Sequence, residues 1–439
     1  MQATIHSPRM DSPASRRHSR SSFSGRVPDM SGKMSVETMQ ASQRLPFYLV
    51  ALLGLITALG PLSTDMYLPA FPILDQELGG GPGSAQFTLA TWFIGLAVGQ
   101  FSCGPLSDRF GRRGPLIAGL ALYTLASIGC AMTSDYRLFC LFRFFAALGG
   151  SGGAVIPRAM IRDIATGRAG AHIMTQLTLV FGVMPILAPS IGGIILEIAT
   201  WRWMFWVAAL YGVAAIAGVW FVLPETLPLA RRLRLPVSTI LTRYAMIVRE
   251  PHFFLNALIA SASTFVMFAY LGGAPVVFEH LMGFSPRNFA IFFGVNAAIF
   301  ILCTQISGRL VHRVRLETLM QFGIGWCAFA GVMNVLLTTT HIITAQTPVF
   351  VVMMIMFMTG SLGFIGANAT VLAFHHHGAH AGSASALLGT MQFSIGAVSG
   401  LMMGYMPTDS IIPTACLMAI GPAMMVIANI FRVFRCAET

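Results

Sequence analysis

The chain has 439 residues, of which 55% are hydrophobic and only 10% charged, and its mean hydropathy is +0.73. Soluble domains carry about 25% charged residues, so this composition excludes an ordinary soluble protein. The formal net charge is +11, but the basic residues punctuate the gaps between apolar runs. They form no soluble basic face, which excludes a nucleic-acid-binding protein.

Residues 1–44 differ from the rest of the chain because they are rich in Ser and Arg and poor in large apolar residues. Such a segment cannot bury enough apolar surface to fold, so we predict a disordered cytoplasmic tail. Its composition resembles an organellar transit peptide, although Asp11, Asp29 and Glu37 argue against one.

From Leu45 onward, the sequence consists of continuous apolar runs separated by short polar segments. In lipid every backbone N–H and C=O needs an internal partner, and apolar runs of about 20 residues predict transmembrane helices rather than barrel strands. We predict twelve spans, with approximate limits 47–69, 86–107, 114–133, 137–161, 171–196, 203–223, 252–273, 288–311, 316–338, 348–374, 381–404 and 411–433.

The basic residues predict the orientation of these spans, because loops rich in Arg and Lys stay in the cytoplasm. With a cytoplasmic N-terminus, Arg137, Arg202 and Arg287 fall outside, Arg143 lies within a span, and every other basic residue falls inside. We therefore expect a multi-pass protein of the inner (plasma) membrane with both termini in the cytoplasm.

A cytoplasmic loop at 224–251 divides the spans six and six. The segments after the second and eighth spans share the pattern G-x-L-x-x-R, at Gly104–Arg109 and Gly308–Arg313. This internal repeat predicts two related six-helix bundles, at 45–223 and, with a short tail, at 252–439.

Asp65 is the one acidic residue that we place inside a predicted span. Ionisable groups in a bilayer are costly and are functional by default. Pro61 and Pro69 flank it, and Pro69 cannot donate a hydrogen bond to the carbonyl of Asp65, so the helix is weakened there. A carboxylate in such a place suits a group that loads and releases a proton. The alternative is a solvated residue at the outer membrane interface.

Arg143 is the only basic residue well inside a predicted span. A buried guanidinium needs an acceptor, and Asp65 is the intramembrane carboxylate at a comparable depth. We therefore hypothesise that the two side chains pair, and that protonation of Asp65 or the arrival of substrate breaks the pair. The alternative is an arginine that snorkels to the outer headgroups.

The sequence indicates no cofactor, no metal site and no enzyme. The seven cysteines form no CxxC pair, and His375–His377 lies in an inside loop that we expect to be polar and pH-sensitive. No GK[ST] follows the glycines of Gly149–Gly153, which indicate close helix packing instead. The chain contains no HExxH, and the Gly149–Gly153 stretch, which fits G-x-S-x-G, lies within a predicted span.

Three stretches resemble motifs of the major facilitator superfamily. The segment after span two reads G-x-L-x-D-R-x-G-R-R, like the hallmark loop of that superfamily, at Gly104, Asp108, Arg109, Gly111, Arg112 and Arg113. Span five is similar to the antiporter motif of drug:proton exporters, with Ala188 before a proline where Gly is usual, at Gly182, Pro185, Pro189, Gly192 and Gly193. The stretch Pro61–Pro69 looks like the first-helix motif of the bicyclomycin/chloramphenicol resistance (Bcr/CflA) branch.

The resemblance implies an all-α major facilitator fold of twelve transmembrane helices and proton-coupled efflux of small amphiphilic drugs by alternating access. Asp65, Arg143 and Tyr67 would lie in the central cavity, and the 104–113 segment would gate its cytoplasmic mouth. The expected partners are protons, a drug-like substrate and membrane lipid, and we expect a monomer. The alternative is a proton-coupled metabolite exporter or uptake symporter of the same fold.

Overall fold

The computed structural model describes the chain from residue 46 to 436 except for short gaps, and the described residues form helices and no strands. The described ranges are 46–81, 83–165, 167–232, 236–377 and 381–436. The predicted tail at 1–44 lies outside them. Helices satisfy their backbone groups internally, which is the condition for crossing lipid.

The first half of the described chain contains seven helices, and a 3₁₀ turn at Leu68–Ala70 joins the first two. The helices are α1 (Phe47–Asp65), α2 (Phe71–Glu77), α3 (Ser84–Phe110), α4 (Arg113–Met132), α5 (Tyr136–Ile164), α6 (Gly167–Ile198) and α7 (Arg202–Phe221). Within this half, α5 packs against α3 and α4, α7 against α4, and α1 against α6.

A short helix in the central loop, α8 (Val237–Arg249), precedes the second half. The helices that follow are α9 (Pro251–Pro275), α10 (Pro286–Leu310), α11 (Leu316–Thr339), α12 (Pro348–Leu362), α13 (Gly366–Phe374), α14 (Ala381–Gly404) and α15 (Ile412–Cys436). A π-helical turn at Val276–Leu281 extends α9. In this half α9 packs against α14 and α15, and α11 against α15.

The predicted spans coincide with these helices. Within the described residues, eleven helical stretches are long and apolar enough to cross a membrane, and α6 adds a shorter apolar stretch at Gly182–Ile198. The stretches that correspond to predicted spans one and seven run further than predicted, to Glu77 and Leu281. Glu279, which is beyond the predicted limit of span seven, therefore lies in the last turn of this helical stretch.

The two halves meet along two helix pairs, α3 with α14 and α6 with α10. At the predicted outer end, Phe93 of α3 stacks on Phe268 of α9, with ring centroids 3.7 Å apart. Nearby, Gln86 Nε2 donates a hydrogen bond to the carbonyl of Gly272, at 3.3 Å. These contacts seal the outer end, whereas a cavity of about 550 Å³ lies between the halves at the arginine-rich, predicted cytoplasmic end.

Glycines bring the helices of the first half into close contact. A Cβ atom at Gly119 of α4 would lie 2.7 Å from the carbonyl oxygen of Gly149 on α5. A Cβ atom at Gly153 would lie 2.6 Å from the carbonyl oxygen of Ile56 on α1. The structure thus confirms that the glycines at 149–153 serve helix packing.

We predict that Gly119→Ala lowers the stability of the folded protein by about 1–3 kcal/mol, because the new methyl group must push α4 away from α5. Gly114→Ala on the same helix is the matched control, since nothing lies within 4 Å of a Cβ atom there. Thermal unfolding of the purified protein in detergent measures both. Equal melting temperatures would contradict the close approach.

Candidate functional site

Helix α1 ends at Asp65, where the sequence predicts a weak point. The amide of Met66 still donates to the carbonyl of Leu62, at 3.1 Å, but the chain then changes to the 3₁₀ turn at Leu68–Ala70. Pro69 has no N–H for the carbonyl of Asp65, so the α-helical ladder cannot continue. The predicted weakening of the helix is confirmed.

The side chain of Asp65 is buried at the interface between the halves. Only 5% of the residue is exposed, which excludes the alternative of a solvated helix end. The turn that follows packs against α6, α9 and α10, and Tyr270 of α9 lies within electrostatic range of the carboxylate. Among the described residues, Asp65 forms no ion pair. The site is therefore a carboxylate that faces the second half without a counter-charge.

Arg143 of α5 lies in an aromatic cage inside the first half and is 2% exposed. Its guanidinium carbon is 4.1 Å from the ring centroid of Tyr67 and 4.4 Å from that of Trp92. Aromatic ring faces attract cations, and the attraction grows when water is excluded. Nη1 donates to the carbonyl of Ser63 at 3.1 Å, while Nε and Nη2 have no hydrogen-bond partner in the described part of the chain. Burial excludes the snorkelling alternative.

The structure does not bring Asp65 and Arg143 into the ion pair that we hypothesised; no such pair occurs among the described residues. Ser63, which contacts Arg143 through its carbonyl, also bonds Tyr123 of α4 through its hydroxyl, at 2.5 Å. This side of α1 faces the first half. Residues two apart on a helix point to nearly opposite sides, so Asp65 faces the second half instead.

Uncharged polar side chains continue from Asp65 into the second half. Tyr270 lies beside Asn296 of α10, whose amide oxygen accepts a hydrogen bond from the hydroxyl of Thr359 on α12, at 2.7 Å. Asn296 and Thr359 are buried. These side chains carry no charge, so we did not predict a role for them from the sequence. The amide of Asn296, near the middle of span eight, was the signal that could have found them.

The large cytoplasmic cavity is separate from these groups. It is lined by residues of α3, α5, α8 and α14, among them Gly104, Asp108, Arg109 and Arg112 of the predicted gate segment. Asp65, Arg143 and Tyr67 do not line it. Tyr67 and Arg143 line a cavity of only about 10 Å³ inside the first half. The residues predicted for the central cavity therefore do not reach the cavity at the predicted cytoplasmic end.

The predicted gate segment is mostly helix rather than loop. Helix α3 continues to Phe110, and only Gly111 and Arg112 connect it to α4. Gly111 has a φ of 93°, in the left-handed region that favours glycine. The tight connection fixes the position of Arg112.

Arg112 is the centre of a charge cluster at the predicted cytoplasmic end of the first half. Its guanidinium donates to Asp108 at 2.5 Å and to Asp163 at 2.9 Å. Burial by itself lowers the pKa of Arg112, but the hydrogen bonds and charges of Asp163 and Asp108 outweigh it and raise that pKa above its usual value.

Glu225 adds a further acceptor to this cluster. Its carboxylate receives the backbone N–H groups of Arg112, at 2.8 Å, and of Arg113, at 3.2 Å. We did not identify Glu225 from the sequence, although an acidic residue at the start of an arginine-rich loop was a usable signal. Every contact described for the cluster lies within residues 107–232, so it holds together the cytoplasmic ends of the first half.

The predicted antiporter motif lies on α6, which runs through Pro185 and Pro189 without interruption. Gly192 packs against the carbonyl of Met66, directly after Asp65. A Cβ atom at Gly193 would lie 3.3 Å from the carbonyl oxygen of Pro286 in α10, and one at Gly182 would lie 3.8 Å from Ile301. The motif glycines therefore allow α6 to approach both the break in α1 and the second half.

Comparison with known proteins finds relatives that are transporters or drug-resistance proteins. The family model for the Major Facilitator Superfamily matches residues 44–401. The MFS-type transporter YdgK of Bacillus subtilis is 31% identical over 83% of this chain and 90% of its own. A bicyclomycin resistance protein homolog of Haemophilus influenzae is 28% identical over 90% of this chain and 98% of its own. A chloramphenicol resistance protein of Pseudomonas aeruginosa is 31% identical over 68% and 70%, respectively.

Solved structures share the fold at low sequence identity. A D-xylose-proton symporter superposes with a TM-score of 0.68 at 16% identity, covering 86% of this chain and 95% of its own. A bacterial homolog of the human lysosomal transporter Spinster, inward-facing and occupied, gives a TM-score of 0.64 at 17% identity, covering 89% and 95%.

We predict that Arg112→Ala lowers the stability of the protein by about 1–3 kcal/mol, because Asp108 and Asp163 lose their shared charged donor. Arg109→Ala, which removes an exposed arginine three residues earlier, is the control and should change stability little. Thermal unfolding in detergent compares the two. A larger effect at Arg109 than at Arg112 would contradict the role given to the cluster.

Proposed function

Because the chain belongs to the Major Facilitator Superfamily, we propose that it is a proton-coupled multidrug efflux transporter. It exchanges small amphiphilic compounds for protons by alternating access. The observation that carries this proposal is the buried, unpaired carboxylate of Asp65 at the break in α1, between the halves. The resistance proteins among its relatives support drugs as the substrate class.

Proton coupling follows from the cost of a buried charge. Burying an ionised carboxylate in a low-dielectric environment, without hydrogen-bond donors or a counter-charge, has a high free-energy cost. A bound proton removes the charge and therefore this cost. Asp65 therefore carries a proton while the outer seal is closed and releases it when the carboxylate gains access to water or to a substrate group. Tyr67 and Arg143 support the site from the first half, because their stack holds the turn that follows Asp65.

The cytoplasmic cavity suits neutral amphiphiles. Apolar side chains such as Phe101, Leu106 and Val155 line it, together with arginines including Arg158 and Arg162. The arginines disfavour cations, while the apolar walls bind aromatic or aliphatic parts of a ligand. Chloramphenicol, an uncharged compound named in one relative's description, is thus a suitable first probe.

Alternating access requires the outer seal to open while the cytoplasmic cavity closes. The stacked rings of Phe93 and Phe268 and the hydrogen bond from Gln86 to Gly272 are among the contacts between the halves that must separate. The bundles at 45–223 and 252–439 move as the two units, in a monomer of the inner membrane with cytoplasmic termini. The charge cluster around Arg112 keeps the first unit rigid and, with the rest of the 104–113 segment, gates the cytoplasmic mouth.

We predict that chloramphenicol or a lipophilic dye collapses an imposed pH gradient in inside-out vesicles that contain the protein, because each compound moved is exchanged for protons. Asp65→Asn, which cannot bind and release a proton, should abolish this response. A pH-sensitive fluorescent dye reports the gradient.

Glu197→Gln is the matched control, since Glu197 is an exposed carboxylate at the outer end of α6. It should behave like the wild type. If no compound dissipates the gradient although the protein inserts normally, the proposal of drug:proton exchange is wrong. The alternative, a metabolite exporter or uptake symporter, then replaces it. An unchanged response in Asp65→Asn would remove Asp65 from the coupling step.

A further inference from the structure

A second carboxylate with buried oxygens lies on the first span of the second half. Glu279 lies on the π-helical turn at Val276–Leu281, within the seventh span. This span is the first of the second half, as the span of Asp65 is the first of the first half. Glu279 follows Pro275 by four residues, just as Asp65 follows Pro61 by four residues. Each half therefore has, in its first span, a carboxylate four residues after a proline.

The local backbone is irregular at both carboxylates. Helix α1 ends at Asp65 and continues as a 3₁₀ turn, while α9 ends at Pro275 and continues as a π turn. Irregular turns within a span free backbone groups and recur at functional sites. The two halves thus share a helix that loses its regular ladder next to an acidic side chain.

The carboxylate of Glu279 is isolated. Both of its oxygens are buried, and neither has a hydrogen-bond partner in the described part of the chain. The turn packs against α2 and α10. The titratable groups on these elements and on α9 near the turn are Asp75, Glu77, Tyr270, His280 and Arg287.

These neighbouring groups do not neutralise Glu279. Glu77 pairs with Arg202 at 3.1 Å, and Asp75 accepts hydrogen bonds from Ser84 and Ala85, each at 2.7 Å. His280 lines a separate outer cavity of about 170 Å³. Among the described residues, no basic group lies within ion-pair distance of the carboxylate.

An ionised, unpartnered carboxylate at this place would destabilise the conformation in which the outer end is closed, because closing removes the carboxylate from water. A proton bound to one carboxylate oxygen removes the charge and, with it, the destabilisation of the closed conformation. We propose that Glu279 is a second proton-binding residue, which takes a proton from the outer medium before the outer end closes and returns it to water when that end opens. This inference rests on the proposed function, since it assumes that the outer end opens and closes during transport.

Infrared spectroscopy of the purified, drug-free protein tests this inference, because a protonated carboxylic acid has a carbonyl band that a carboxylate lacks. At neutral pH, Asp65→Asn and Glu279→Gln should each remove roughly half of that band, and the double variant nearly all of it. Glu279→Asp should keep the band, and the exposed control Glu197→Gln should leave it unchanged.

Wild-type protein with ¹³C-labelled glutamate provides a second measurement that needs no variant. The part of the band that belongs to Glu279 should shift, while the part that belongs to Asp65 stays. A band that Glu279→Gln leaves intact and that labelling does not shift would overturn the inference. Because the sample contains no drug, a failure of drug transport would not alter either result.

Discussion

The structure depends on one constraint, which is that a carboxylate is held out of water without a counter-charge. Asp65 is 5% exposed at the point where α1 loses its helical ladder, and it faces the other half of the molecule. Such a group can stay buried at low cost only when a proton removes its charge. The contacts around it follow from this. The glycines of α6 allow that helix to approach the break, and the stacked rings of Phe93 and Phe268 join the two halves in the same predicted outer half.

Arg143 and Arg112, two buried arginines of the first half, have different structural roles. Arg143 is confined by Tyr67 and Trp92 and bonds the backbone of α1, so it fixes the start of the turn rather than neutralising Asp65. Arg112 joins the cytoplasmic ends of the same half. In the proposed cycle the first half is therefore rigid, and the proton on Asp65 changes how that half packs against the second.

The sequence predicted the helices well because lipid permits few alternatives to a long apolar helix. It also located Asp65 and the weak point after it, since Pro69 lacks an N–H by its chemistry. The separation of Asp65 from Arg143 was not predictable, because two residues at one depth can lie on opposite sides of α1. Glu225, Glu279 and Asn296 were missed for a related reason. Their importance comes from tertiary contacts or from the continuation of a helix by a π turn, and neither changes the local apolar pattern.

The central claim is that the charge state of Asp65 determines whether the outer end is closed. Pulsed electron–electron resonance between spin labels at positions 197 and 346, exposed sites on the two halves, measures this end directly in protein whose native cysteines are replaced. The distance should be short at acidic pH and longer at alkaline pH, because the ionised carboxylate favours hydration. In Asp65→Asn it should stay short at both. A distance that does not respond to pH in otherwise wild-type protein, or that responds equally in Asp65→Asn, would contradict the claim.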